Sequence, residues 1–145
     1  MTALGRRGDA PAPAGSLARH IALALLALLF IASGCAHFRY TAAFAAIIPP
    51  YLPAPRILVQ LSGAAELLLG IMVLVPARRR SAGIGLIALM LAVLPANLFM
   101  AMEPERFPQF APWLLWLRLP LQGVLIVWAY WASGLDRPPP SRREG

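Results

Sequence analysis

The chain contains no lysine, a single cysteine, two histidines and only six acidic residues among 145. One cysteine excludes an internal disulfide, and neither a CxxC pair nor a zinc-ligand spacing is present. Cys35 therefore reads as a small packing residue. His20 and His37 fall at opposite ends of one apolar run, so they do not form a haem-ligand pair. Charged residues make up 13% of the chain, about half the share usual for a soluble domain. No polar segment is long enough to form such a domain. All 13 basic residues are arginine, and they flank apolar blocks instead of lining one helix face. The net charge of +7 is thus no nucleic-acid footprint. Arginine without lysine, together with abundant alanine and proline, is a composition associated with GC-rich bacterial genomes.

What is abundant is apolar sequence, at 59%, gathered into four blocks: Leu17 to His37, Ile57 to Val75, Ala82 to Met102 and Trp113 to Trp131. Each is long enough to cross ~30 Å of hydrocarbon as a helix. Backbone groups left unpaired in lipid are too unfavourable for any other conformation. The expected fold class is all-α, a polytopic four-helix transmembrane domain over residues 17–133. Disordered tails are expected at 1–16 and 134–145. The linkers Phe38 to Arg56 and Glu103 to Pro112 are rich in proline and aromatics, and Pro76 to Ser81 is a tight basic turn.

Orientation follows from the arginines. Arg6, Arg7, Arg19, Arg78, Arg79, Arg80, Arg137, Arg142 and Arg143 fall on one side of four spans, and Arg39, Arg56 and Arg106 on the other. Both termini are therefore expected in the cytoplasm. The first block also carries features of a secretory signal ending in "ASGCAHF". However, Ala32 stands where a lipoprotein signal favours leucine, so a retained helix is expected. Tyr40, Phe44, Tyr51, Phe107, Phe110, Trp113 and Trp116 at one interface, and Trp128, Tyr130 and Trp131 at the other, read as aromatic belts.

Function is sought among residues that are unfavourable in lipid. Glu66 lies mid-block, where insertion scales assign a penalty of roughly 2.5–3.5 kcal/mol to a charged side chain. In the four-span arrangement His37, Gln60, Asn97 and Arg118 share the outer half, with Glu66 and Gln122 near the midplane. Residues four apart share a helix face, which groups Ser33 with His37, Ser62 with Glu66 and Arg118 with Gln122. Gly63 and Gly70 flank the Glu66 face and allow close helix approach. Three readings stay open. These groups form an outward cavity with Glu66 and Arg118 as its charged pair; or they are polar glue between helices; or Arg118 simply snorkels to the interface. Pro95 and Pro120 either shape the pocket or only kink packed helices.

The order of "SGCAHF", "IIPPYLP", "SGAAELLLG", "LPANLFMA" and "LRLPLQ" resembles the DoxX-like family of small bacterial four-helix membrane proteins over residues 20 to 132. The resemblance implies a bacterial inner-membrane location and a link to redox metabolism, with His37, Pro49, Pro50, Gly63, Glu66, Pro95, Asn97, Arg118, Pro120 and Gln122 on the shared motifs. The expected function is an accessory or anchor subunit of a quinone-linked redox system, without autonomous catalysis. Quinone is its expected cofactor, the lipid bilayer its surroundings and an oxidoreductase subunit its partner. A small transporter or lipophile-binding protein, and a purely structural partner-binding bundle, are the alternatives.

Overall fold

The computed structural model describes residues 14–138; the expected tails over 1–13 and 139–145 lie outside the described residues. Five α-helices follow one another: α1 (Ala14–Arg39), α2 (Thr41–Ala45), α3 (Pro55–Met72), α4 (Arg79–Met102) and α5 (Pro112–Ala132). Among the described residues there are no strands. α1, α3, α4 and α5 are long and apolar enough to cross a membrane, at about 27–39 Å each. The chain is an all-α, multi-pass membrane protein folded as a four-helix bundle. α1 starts and α5 finishes at what we call the Arg19 end; the opposite end is the His37 end.

Lipid gives helices no hydrophobic reason to associate, so close packing and hydrogen bonds must hold them. α1 and α3 pack backbone against backbone. A Cβ added to Gly34 would sit 2.7 Å from the Gly63 carbonyl oxygen, and one added to Gly63 would sit 2.7 Å from His37 Cβ. Gly70 meets Ala27 and Ile31 in the same seam. The buried residues of α3 run Val59, Gly63, Glu66 and Gly70, which is the one-face spacing of a helix.

Two apolar clusters fill the bundle. Leu23, Leu26, Phe30, Val73, Leu86 and Ala129 belong to the larger one, toward the Arg19 end. Met100, Ala101, Phe107 and Leu115 form the other, at the His37 end. Phe107 is therefore core and not interfacial belt: it is 4% exposed and packs edge-on against Phe99. Cys35, in contrast, is exposed on the surface of α1 and is no packing residue.

The linkers are more ordered than proline content suggests. α1 runs on to Arg39, and the alanine-rich stretch after Tyr40 turns one further helix, α2. The Thr41 hydroxyl donates to the His37 carbonyl at 2.7 Å, bridging the break. α4 begins within the basic turn, at Arg79. Arginines in a first helical turn oppose the helix dipole. Here Arg80 instead donates to the carbonyls of Gly134 and Arg137.

That contact belongs to a segment expected to be disordered. Residues 134–138 turn back on the bundle. Gly134 adopts φ +80°, and the Leu135 and Gly134 amides donate to the carbonyls of Tyr130 and Trp131. This is the Schellman arrangement that glycine after a helix permits. It carries Asp136 to Arg19, which donates to both carboxylate oxygens at 3.0 and 2.8 Å and lies 5.1 Å over the Trp131 ring.

Two outcomes are expected. Adding a methyl group at Gly34 drives it against backbone, so Gly34→Ala lowers stability by about 1–3 kcal/mol. Gly123→Ala meets nothing within 4 Å and is neutral or stabilising by up to ~1 kcal/mol through helix propensity. Unfolding midpoints in detergent check the opposite signs. The Arg19 hydrogen bond holds the Asp136 carboxyl below its ordinary range. A carboxyl depressed in the folded state stabilises above its unfolded value and ceases to do so as pH falls through the folded one. The midpoint gap between wild type and Asp136→Asn is thus present at neutral pH and closes as pH drops below the ordinary carboxylate range.

Candidate functional site

Between the two apolar clusters lies a cavity of about 340 Å³, within the lower part of the ~300–1,000 Å³ range of small-molecule sites. Its walls come from all four spanning helices. Phe44, Ile47 and Ile48, from α2 and the residues after it, close it at the His37 end. Five of the six polar residues expected to gather do line it: His37, Glu66, Asn97, Arg118 and Gln122. The sixth, Gln60, does not. It is exposed on α3, about 120° around the helix from Glu66. Equal depth in the bilayer placed it with the others, and helix rotation turns it away.

Glu66 is 7% exposed, and its partner is His37, not Arg118. His37 Nδ1 lies 3.1 Å from Glu66 Oε2 and 3.1 Å from the Ser33 carbonyl oxygen. A carbonyl only accepts, so Nδ1 carries the proton and shares it between the two oxygens. The glycine crossing explains the pairing: with no side chain at Gly63, the His37 Cβ can rest on α3 one turn before Glu66. Phe44 packs on the other side of the imidazole, with ring centroids 4.1 Å apart. Phe44 is thereby a wall of the cavity and no belt residue.

A second polar pair joins the other two helices. Asn97 Nδ2 on α4 donates to Gln122 Oε1 on α5 at 2.8 Å. Gln122 Nε2 in turn donates to the Met90 carbonyl. Pro95 has no N–H, so the carbonyl left without its helical donor is that of Leu91, one residue after the Met90 carbonyl that Gln122 reaches. Pro95 itself points away, into an exposed groove beside Tyr51, Leu94, Leu98 and Met102. It acts on the cavity only through the backbone.

Arg118 has no carboxylate partner among the described residues. Its nearest contacts are soft ones: Met100 Sδ at 3.7 Å and the Phe110 ring, 5.3 Å from the guanidinium carbon. The side chain rises toward the His37 end, as a snorkelling arginine does, yet it remains half-buried on the cavity wall. The polar residues therefore divide. Four of them satisfy one another and stitch α1 to α3 and α4 to α5. The fifth holds a charge that nothing in the bundle matches. Ser62 also faces the cavity and donates back to the Val59 carbonyl at 2.9 Å. Among the described residues, no three His, Cys, Asp or Glu side chains come together as a metal would need.

The two stitches make the cavity sensitive to amide loss. Gln122→Leu strands the Asn97 amide and is expected to destabilise by about 1–3 kcal/mol. Gln60→Leu, at the same depth but outside the cavity, stays within about 0.5 kcal/mol of wild type. Unfolding midpoints of the two variants decide whether orientation or depth governs the cluster.

No curated protein and no solved structure shows significant similarity to the chain. A family described as "Domain of unknown function (DUF8561)" matches residues 26–133. The matched stretch takes in α3, α4, α5 and the half of α1 that carries Ser33, Gly34 and His37, and so every residue lining the cavity. The chain belongs to the DUF8561 family.

Proposed function

We propose that this protein is a bacterial inner-membrane subunit whose cavity holds a lipophilic molecule with an oxygen-bearing head, a quinone being the best fit, in the service of a membrane redox partner. The observation that carries the reading is Arg118: a guanidinium on the wall of an otherwise self-satisfied polar cavity, with no ion-pair partner among the described residues. An intramembrane charge is retained against a penalty, and structural glue accounts for the other four polar groups but not for this one.

The residues fit a quinone head. Leu29, Phe30, Val93 and Leu125 supply apolar walls for a flat ring. Arg118 supplies N–H donors for one carbonyl oxygen. The Asn97–Gln122 amides and the His37–Glu66 pair border the same space. A bound quinone would supply reversible two-electron chemistry; the chain's own residues bind and orient. The DoxX-like motifs support the redox association. The nine-to-three arginine bias supports cytoplasmic termini, which sets the cavity toward the outer half of the membrane.

The test is mass spectrometry of lipids and proteins that accompany the chain when it is purified gently from its native membrane. Near-stoichiometric quinone, or an oxidoreductase subunit, is expected with the wild type. Arg118→Met removes a charge-assisted hydrogen bond worth about 1.5–3 kcal/mol, so retention falls roughly 10- to 150-fold. Glu66→Gln keeps an acceptor for His37 and should preserve the fold while changing the cavity's charge. A wild type free of both quinone and partner would sink the proposal in favour of a purely structural bundle.

A further inference from the structure

The cavity has an open side, and its position says where an occupant comes from. At the His37 end the partly buried Phe44, Ile47 and Ile48 line it; toward the Arg19 end Phe30 and Met90 form its floor, 6% and 5% exposed. Two lining residues behave differently. Leu29 on α1 is 42% exposed and Leu121 on α5 is 50% exposed, although both face the cavity. Each is therefore at once wall and surface.

Helix rotation places them on one seam. On α1, Gly34 and Ala27 face α3, while Leu29 lies more than 100° around the helix from both, on the other flank of the inward line through His37. On α5, Leu115 and Leu119 pack with α4 residues at the His37 end. Leu121 lies roughly 120° or more around the helix from both, on the flank turned to α1. α1 and α5 close on each other at the Arg19 end, through the shared cluster of Leu23, Leu26, Ala129 and Ala132 and through the Arg19–Asp136 pair. No comparable cluster joins them at the level of Leu29 and Leu121 among the described residues.

We infer that the cavity is filled sideways from the bilayer, through the α1–α5 seam at Leu29 and Leu121, by an amphiphile whose head reaches Arg118 while its tail stays in the seam. The inference rests on the ligand-binding reading above but fixes a route and a class of ligand. A water-soluble solute would meet the aromatic and isoleucine cover. A bilayer-dissolved molecule meets two leucines exposed on the surface of the spanning helices. The head atom required is an oxygen acceptor, and the tail must be unbranched or flexible enough to lie between two helices. Both a quinone and a long-chain acid satisfy this.

The test uses the full chain in vesicles of phosphatidylethanolamine and phosphatidylglycerol containing a long-chain fatty acid with a mid-chain diazirine. Brief illumination should label Ser33 and Met90 inside the cavity as well as lipid-facing Leu68 and Val127, which serve as the internal standard. In Leu29→Trp/Leu121→Trp, interior labelling at early times should fall about tenfold, because obstructing an access route lowers the association rate. Leu28→Trp/Val124→Trp adds the same bulk at exposed positions outside the cavity and should change nothing. Leu29→Phe alone, expected to act in the same direction, keeps the test valid should the double variant unfold.

Interior labelling that is absent in wild type, or unchanged when the seam is blocked, overturns the lateral route. Decylubiquinone, added as a competitor and measured on the purified protein, separates the two readings. Interior labelling without decylubiquinone retention keeps the route and removes the quinone. Decylubiquinone retained without interior labelling does the reverse.

Discussion

An acidic side chain in the middle of an apolar helix has to be matched before that helix can rest in a bilayer, and the match for Glu66 depends on two glycines. The Gly34–Gly63 crossing lets α1 and α3 approach until the His37 Cβ lies on the α3 backbone. Only at that distance does the imidazole N–H reach Glu66 and the Ser33 carbonyl together. The order of cause is packing first and polar pairing second. Glycines contribute no attraction of their own; they set a separation at which a hydrogen bond becomes available, and in lipid such bonds share the role that hydrophobic burial has in water.

The same logic divides the bundle. α1 and α3 form one half, closed by His37–Glu66. α4 and α5 form the other, closed by Asn97, Gln122 and the Met90 carbonyl. Arg118 apart, the polar side chains of the cavity are satisfied within their own half, so nothing obliges the halves to meet at mid-depth. They are joined at the Arg19 end by close-packed apolar side chains and by arginines gripping the turn after α5. The cavity is what remains where two internally satisfied halves are not pressed together.

Much of this was legible in the sequence, and the failures share a cause. Spans follow from the length of apolar blocks, because lipid leaves the backbone no alternative to a helix. Depth follows from counting residues along each span, which is why His37, Glu66, Asn97, Arg118 and Gln122 were rightly grouped. Azimuth does not follow from counting. Gln60 shares the depth but turns outward, and depth alone leaves both His37 and Arg118 within reach of Glu66, so counting does not choose between them. Phe44 and Phe107 were read as interfacial because aromatics near span ends usually are; each instead folds inward from a linker that carries its own helical turn. The ordered segment after α5 had a visible signal in Gly134, a glycine one residue beyond the helix cap, followed by an apolar residue.

Arg19 is buried and Arg118 half-buried within the spanning helices, and their contrast bears on what the cavity is for. Arg19 has a carboxylate held against it in bidentate geometry, supplied by the turn at Gly134, and the Trp131 indole beneath it. Among the described residues nothing of the kind is built around Arg118, although Glu66 lines the same cavity. Glu66 is instead engaged by a histidine on a neighbouring helix, which leaves the guanidinium with a thioether and a ring face. A fold that gives one arginine a carboxylate and leaves the other to weak partners has the donors of Arg118 available to something that is not part of the chain. The leucines at the α1–α5 seam place that something in the membrane.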